Sequence, residues 1–173
     1  EVTNTNLELI AEAFSYGTEA ITTNADTHTT TIADGATDPG RSMYLKYTGT
    51  LDSACTITIA PNTMKRVQII ENATSGSQSI IIKQGSGSTV TIPTGRVAVV
   101  YLDGAGSGGA VVNAFTDLDL AGTLSIAGAV AAATDMTVGD DLTLSSDAAV
   151  LGFGADTDVT LTHVADTALL LNS

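Results

Sequence analysis

The chain has 173 residues with no Trp, three Pro and a single Cys, and its 19 Asp and Glu against 6 Lys and Arg give a formal charge of −13. That length holds one domain with a real core, or a small domain with an appendage. The charge argues against nucleic acid and anionic membranes as partners, because phosphate groups need clustered Lys and Arg. No run of about eighteen uncharged apolar residues is present to insert into a bilayer.

The charges are unevenly placed. All six Lys and Arg lie at or before Arg96, and beyond it there are ten Asp and no Lys, Arg or Glu. Two regions of different construction are expected. Thr, Ala, Gly, Ser and β-branched aliphatics dominate, a usage that favours strands and tight turns over helices. The chain opens at Glu1, lacks the basic-then-apolar order of a signal peptide and stops in "ALLLNS", mid-repeat in style, so a piece of a longer protein is expected.

In chain order, residues 1–15 are ambiguous. Leu7, Ile10, Ala11 and Phe14 have helical spacing, while Leu7, Leu9, Ala11 and Ala13 alternate like a strand. "EAITTN" and "THTTTIAD" are plausible strands, followed by the loop "DGATDPGR". From Ser42 to Leu102 six strand candidates follow: "SMYLKYT", "CTITIA", "RVQIIEN", "QSIIIKQ", "STVTIP" and "RVAVVYL". Short connections with turn residues separate them, which predicts an antiparallel meander, hence an antiparallel β-sandwich or jelly-roll-like domain over 1–115. "RVAVVYL" and "SIIIKQ" are almost wholly apolar and are predicted to be central strands. "DGAGSGGA" (103–110) lacks the Lys-Ser/Thr of a P-loop, so it is read as a hairpin loop leading into "VVNAF".

From 116 the character changes. "TDLDLAGTLSIAG" and "TDMTVGDDLTLSS" superpose at one constant offset, with Thr116 over Thr134 and Leu124 over Leu142. Apolar residues recur at every second position: Leu118-x-Leu120, Leu124-x-Ile126, Met136-x-Val138 and Leu142-x-Leu144. The same alternation runs through Val159 and Leu161 of "VTLTHV", and "ALLLN" follows. Strands this short cannot bury an apolar face alone, and the stretch from 116 to 173 is too short for a capped single-chain β-helix. Residues 116–173 are therefore predicted to be an 18-residue-repeat β-stalk whose core, built from these ten apolar residues, is shared by several copies, most simply a homotrimer. Left uncovered, that surface would be an aggregation hazard.

Two segments carry a resemblance. "LDLAGTLSIAGAVAAATDMTVGDDLTLSSDAAVLGFGADTDVTLTHVADTALLLNS" resembles the stalk repeats of tail-fibre and related structural proteins of tailed bacteriophages, particularly marine ones. "TITIAPNTMKRVQIIENATSGSQSIIIKQGSGSTVTIPTGRVAVVYLDGAGSGG" is similar to domains of those fibres, so the likeness covers about residues 55–173. It implies a structural virion protein, located on the phage tail or head surface. Such a protein docks on other tail or virion proteins and forms a trimeric shaft toward the host. The alternative reading is a capsid decoration or receptor-binding module whose loops hold a host surface glycan.

Catalytic constellations are sparse, and the chain is read as a non-enzyme with no cofactor and no metal. Cys55 in "ACTITIA" reads as a small buried apolar residue, and alone it makes no intrachain disulfide. His28 in "TNADTHTTT" reads as a solvated loop histidine, with Asp26 or a serine as its nearest potential partner. His163 is in phase with Val159 and Leu161, and a trimer would gather three imidazoles at the axis. Asp140 with Asp141, and Asp156 with Asp158, supply hard oxygen ligands but match neither known calcium loop, so turn residues are the default. Paired carboxylates also serve glycosidases, yet four Tyr and three Phe leave little to stack sugars on. "NAT" at Asn72 fits a glycosylation sequon.

Overall fold

The computed structural model describes residues 2–132, 134–146, 148–153, 155, 159–164 and 168–172, and the chain divides into two compact units, 1–121 and 122–173. Most regular structure is β, as expected. Among the described residues no helix is long and apolar enough to cross a membrane. The ambiguous start is a helix, α1 (Val2–Ala13), so helical spacing wins there. A helix of this length is marginal by itself in water. Its C-terminal turn is tethered: Glu12 accepts from the Asp38 backbone N–H at 3.1 Å and pairs with Arg41 at 3.3 Å.

Nine strands complete the first unit: β1 (Tyr16–Ala20), β2 (Thr27–Thr31), β3 (Tyr44–Thr48), β4 (Cys55–Ala60), β5 (Arg66–Asn72), β6 (Ile80–Lys83), β7 (Val90–Ile92), β8 (Val97–Leu102) and β9 (Val111–Asn113). They form a five-stranded sheet in the order β1-β3-β5-β8-β9 and a four-stranded sheet in the order β2-β4-β6-β7. The predicted strands from Thr27 to Leu102 are found, β1 overlaps the predicted "EAITTN" only at Glu19 and Ala20, and β6 and β8 are interior in their sheets.

The predicted antiparallel meander is corrected. β1, β3 and β5 run parallel, and so do β2, β4 and β6. Among these nine strands only β5–β8, β8–β9 and β6–β7 are antiparallel. The reason lies in what the short connections do. Each of the first five carries the chain across to the other sheet instead of back beside the strand just made. The next strand but one then lands parallel to the first, because the intervening strand serves as the long crossover that parallel pairing requires. One full circuit runs from Tyr16 to its partner Tyr44, and the next from Tyr44 to its partner Ile69.

Where the chain crosses between sheets at one end, successive turns stack. The Asn24 N–H donates to Thr50 O at 2.8 Å, and the Ser75 N–H to Gly49 O at 2.9 Å. Gly76 has φ +96, and a Cβ there would sit 1.8 Å from the Leu51 carbonyl oxygen, so only glycine lets the turns approach this closely. Asn72 closes the same end. Its side-chain amide donates to Gln78 O and Ile92 O, at 3.0 and 2.9 Å, and its Oδ1 accepts from both the N–H and the hydroxyl of Thr74. The residue is fully buried, so the sequon reading of Asn72 is corrected: the amide is spent on an internal turn.

Both sheets feed one core. Leu45, Tyr47 and Ile70 from the five-stranded sheet lie in the same cluster as Ile57, Ile59 and Ile82 from the four-stranded one. Each fully buried aliphatic side chain contributes about 1.5–3 kcal/mol relative to exposure. Cys55 belongs to this core, where burial raises its thiol pKa. Tyr47 is buried too, and loss of hydration pushes its phenol far above the usual range despite the 2.6 Å bond to the Thr30 hydroxyl. At the opposite end Gln68, fully buried, donates to Gly40 O and Ser42 O at 2.9 and 2.8 Å, anchoring the 3-10 turn Pro39–Arg41. The glycine-rich loop 103–110 joins β8 to β9 as a hairpin. The Asp103 carboxylate accepts from the Ala110 and Ala105 N–H groups at 2.9 and 3.0 Å, and those bonds lower its pKa.

The second unit contains β10 (Val150–Phe153), β11 (Val159–Val164) and β12 (Ala168–Asn172), an antiparallel sheet in that order. "VTLTHV" and "ALLLN" are thus strands, as expected. The pairs Leu118/Leu120, Leu124/Ile126, Met136/Val138 and Leu142/Leu144 are not, which corrects the prediction of short strands there. Among the described residues these short apolar pairs, separated by Gly and Asp, find no strand to pair with, and an unpaired strand has no ladder to hold it.

Candidate assembly surface

The ten residues predicted to form a shared core can now be placed. Leu118, Leu120, Leu124 and Ile126 are 59%, 47%, 63% and 48% exposed. Met136, Val138, Leu142 and Leu144 are equally bare, at 62%, 43%, 56% and 51%. Leu161 is half-buried in β11, in register with Leu151 and Leu171 on its two neighbours. The Val159 side chain lies outside the described residues. One chain therefore leaves eight of the ten uncovered, over a stretch that carries hardly any regular backbone structure.

Sequence dictates this condition. Gly122, Gly128 and Gly139 have open space around the position of an added Cβ, so nothing presses on the chain between the apolar pairs. Asp117, Asp119, Asp135, Asp140 and Asp141 punctuate the segment without a compensating cation. So many exposed apolar side chains make this segment a candidate interaction surface.

The polar candidates resolve differently. His28 is not a solvated loop residue: it sits on β2 and points between the sheets. Its Nε2 lies 2.7 Å from Glu19 Oε1 on β1, its ring stands edge-on to Tyr47 at 6.2 Å, and its side chain is 18% exposed. Asp26 bonds the Ser53 hydroxyl instead. The His28–Glu19 pair links the first strand of one sheet to the first strand of the other. Among the described residues the surface has no pocket beside it, and no three His, Cys, Asp or Glu side chains converge on a point. Asp140 and Asp141 are exposed and in no strand. Asp156, Asp158 and the His163 side chain lie outside the described residues.

Sequence reasoning missed one surface: the outer face of the five-stranded sheet, where Tyr16, Val67 and Tyr101 are 57%, 61% and 42% exposed. The available signal is that "RVAVVYL" is apolar in both strand phases, the pattern of a strand covered on two sides. No protein-family model, curated protein or solved structure matches the chain.

Proposed function

We propose that the chain is a structural component of a tailed-phage tail fibre, in which residues 1–115 form a two-sheet, sandwich-like head for attachment or assembly and residues 116–173 join those of sister chains in a trimeric β-stalk. The observation that supports this reading is the bare apolar series from Leu118 to Leu144, in which the second half repeats the first at one fixed offset. A single chain gives these side chains no cover. Three chains around one axis do, because each apolar pair then meets its equivalents and each short strand gains partners. The nine Asp of residues 116–173 face outward in such a stalk and keep it from associating sideways. Mechanism here is mechanical: assembly through a shared apolar core, stiffened by strand pairing between chains, with the head docked on another virion protein.

Light scattering combined with negative-stain electron microscopy on the purified chain tests this directly. The expected result is three times the chain mass of 17.5 kDa and a lobed head bearing a thin rod. A monodisperse single-chain mass at micromolar concentration, with no rod in the images, refutes it.

A further inference from the structure

The two sheets of the first unit share one core but present opposite outer faces. On the four-stranded sheet the outward positions read Thr27, Thr29 and Thr31 on β2, Thr56, Thr58 and Ala60 on β4, Ile81 and Lys83 on β6 and Thr91 on β7, with Thr27 beside Thr56 and Thr29 beside Thr58. That is a face suited to water. On the five-stranded sheet one cross-strand row reads Tyr16, Tyr44, Ile69, Val99, and the next reads Val67, Tyr101, Val112. Tyr16 and Tyr44 stack with ring centroids 5.4 Å apart. Five strands about 4.8 Å apart make this plate roughly 19 Å wide. Both faces are built by the same circuits, so strand propensity alone does not account for the difference. The second face is composed like the centre of a protein interface, where Tyr and aliphatic residues replace charges.

We propose that this plate is a contact between copies of the chain, the outer face of each five-stranded sheet being covered by the same sheet of a neighbour in the assembly. The inference rests on the oligomeric reading above and adds a second, independent surface to it. Charge selects the occupant. The outward charges of these strands are Lys46 and Glu71, and they cancel one another at 3.5 Å, with the Tyr44 hydroxyl donating to Glu71 at 2.8 Å. Copies that each carry −13 can meet here without bringing like charges together, whereas a basic partner finds no unpaired carboxylate on the plate. Connectivity agrees. Val112 belongs to β9, and β9 runs through Asn113 straight into the repeated segment, so joining copies there raises the local concentration of this sheet beside its like.

The full chain tests the proposal with a built-in probe. It has no Trp, so its emission comes from four Tyr, of which Tyr16, Tyr44 and Tyr101 lie on the plate and Tyr47 is buried. Iodide quenching of that emission is read across a dilution series, beside the mass from light scattering. In parallel, full-length Val67→Cys and, as control on the Thr face, Thr29→Cys are treated with a short bis-maleimide; Cys55 is buried and out of reach. The expected result is quenching that falls as mass rises, with Val67→Cys converted mostly to covalent multimers and Thr29→Cys left monomeric on denaturing gels. An oligomer whose Tyr stay quenchable, or in which Thr29→Cys cross-links as well as Val67→Cys, overturns the plate and leaves the stalk standing. A chain that stays a single copy at every concentration overturns both.

Discussion

Between Tyr16 and Asn113 every strand finds a neighbour within its own chain, whereas between Thr116 and Ser146 apolar side chains recur at a fixed offset and stand bare. Both stretches repeat, and both put apolar residues at every second position. Circuit length separates them. The circuits from Tyr16 to Tyr44 and from Tyr44 to Ile69 each carry two strands and two connections, enough to cross to the facing sheet and come back beside the starting strand. The unit that begins at Thr116 and starts again at Thr134 is shorter, with two short apolar pairs and Gly or Asp between, and it never comes back. Self-sufficiency follows from whether the chain can return to itself, not from how regular its repeat is.

Substitutions can break the comparison from either side. The largest effect is expected for Leu142→Asp in the full chain, which would put one carboxylate per copy into the proposed shared core. Burying an unpaired charge costs at least about 3 kcal/mol, or roughly a hundredfold in association. Sedimentation should show dissociation, while the unfolding transition of residues 16–113 stays where it was. Ile57→Ala does the reverse. Ile57 is fully buried, and its truncation is expected to cost about 2–5 kcal/mol in calorimetric unfolding of the first unit, with association through 116–146 retained.

Two glycines sharpen the point about close return. At Gly76 a Cβ meets the Leu51 carbonyl, so Gly76→Ala should cost about 3 kcal/mol or more in urea unfolding. Gly95, with φ +70 but open space around it, should cost only about 1 kcal/mol as Gly95→Ala, the conformational part alone. Equal effects would mean that stacking of the turns is not what confines position 76.

The smallest lever is pH. Tyr47 is raised mainly by burial, and Tyr44 mainly by its bond to Glu71 and secondarily by burial. A phenol whose folded pKa lies above its unfolded value of about 10 contributes stability that is complete below that value and is lost as pH climbs past it. Alkaline titration followed by phenolate absorbance should therefore show part of the signal appearing only with loss of the β circular-dichroism band. Tyr47→Phe should move that loss to higher pH.

Much of this is legible in the amino-acid order, and the gaps have physical causes. Period two in "CTITIA" marks Cys55, Ile57 and Ile59 as inward, and they are buried. Pairing direction is not legible, because a short connection with turn residues looks the same whether the chain folds back beside its strand or crosses to another sheet. In "THTTTIAD" the inward phase is His28, Thr30 and Ile32, too polar for hydrophobic alternation to register. There His28 meets Glu19 and Thr30 meets Tyr47, partners supplied only by the fold. The proposed assembly surface is the converse case: its repeat is plain in sequence because no fold within the single chain had to be inferred to find it.

Hydrogen exchange over residues 116–146, measured by mass spectrometry at several chain concentrations, reaches the central claim most directly. The account predicts amides that exchange at free-chain rates when the protein is dilute and become protected, from Leu118 to Leu144, as copies associate. Protection that is already present in a dilute single chain, or exchange that stays fast at every concentration, would contradict it.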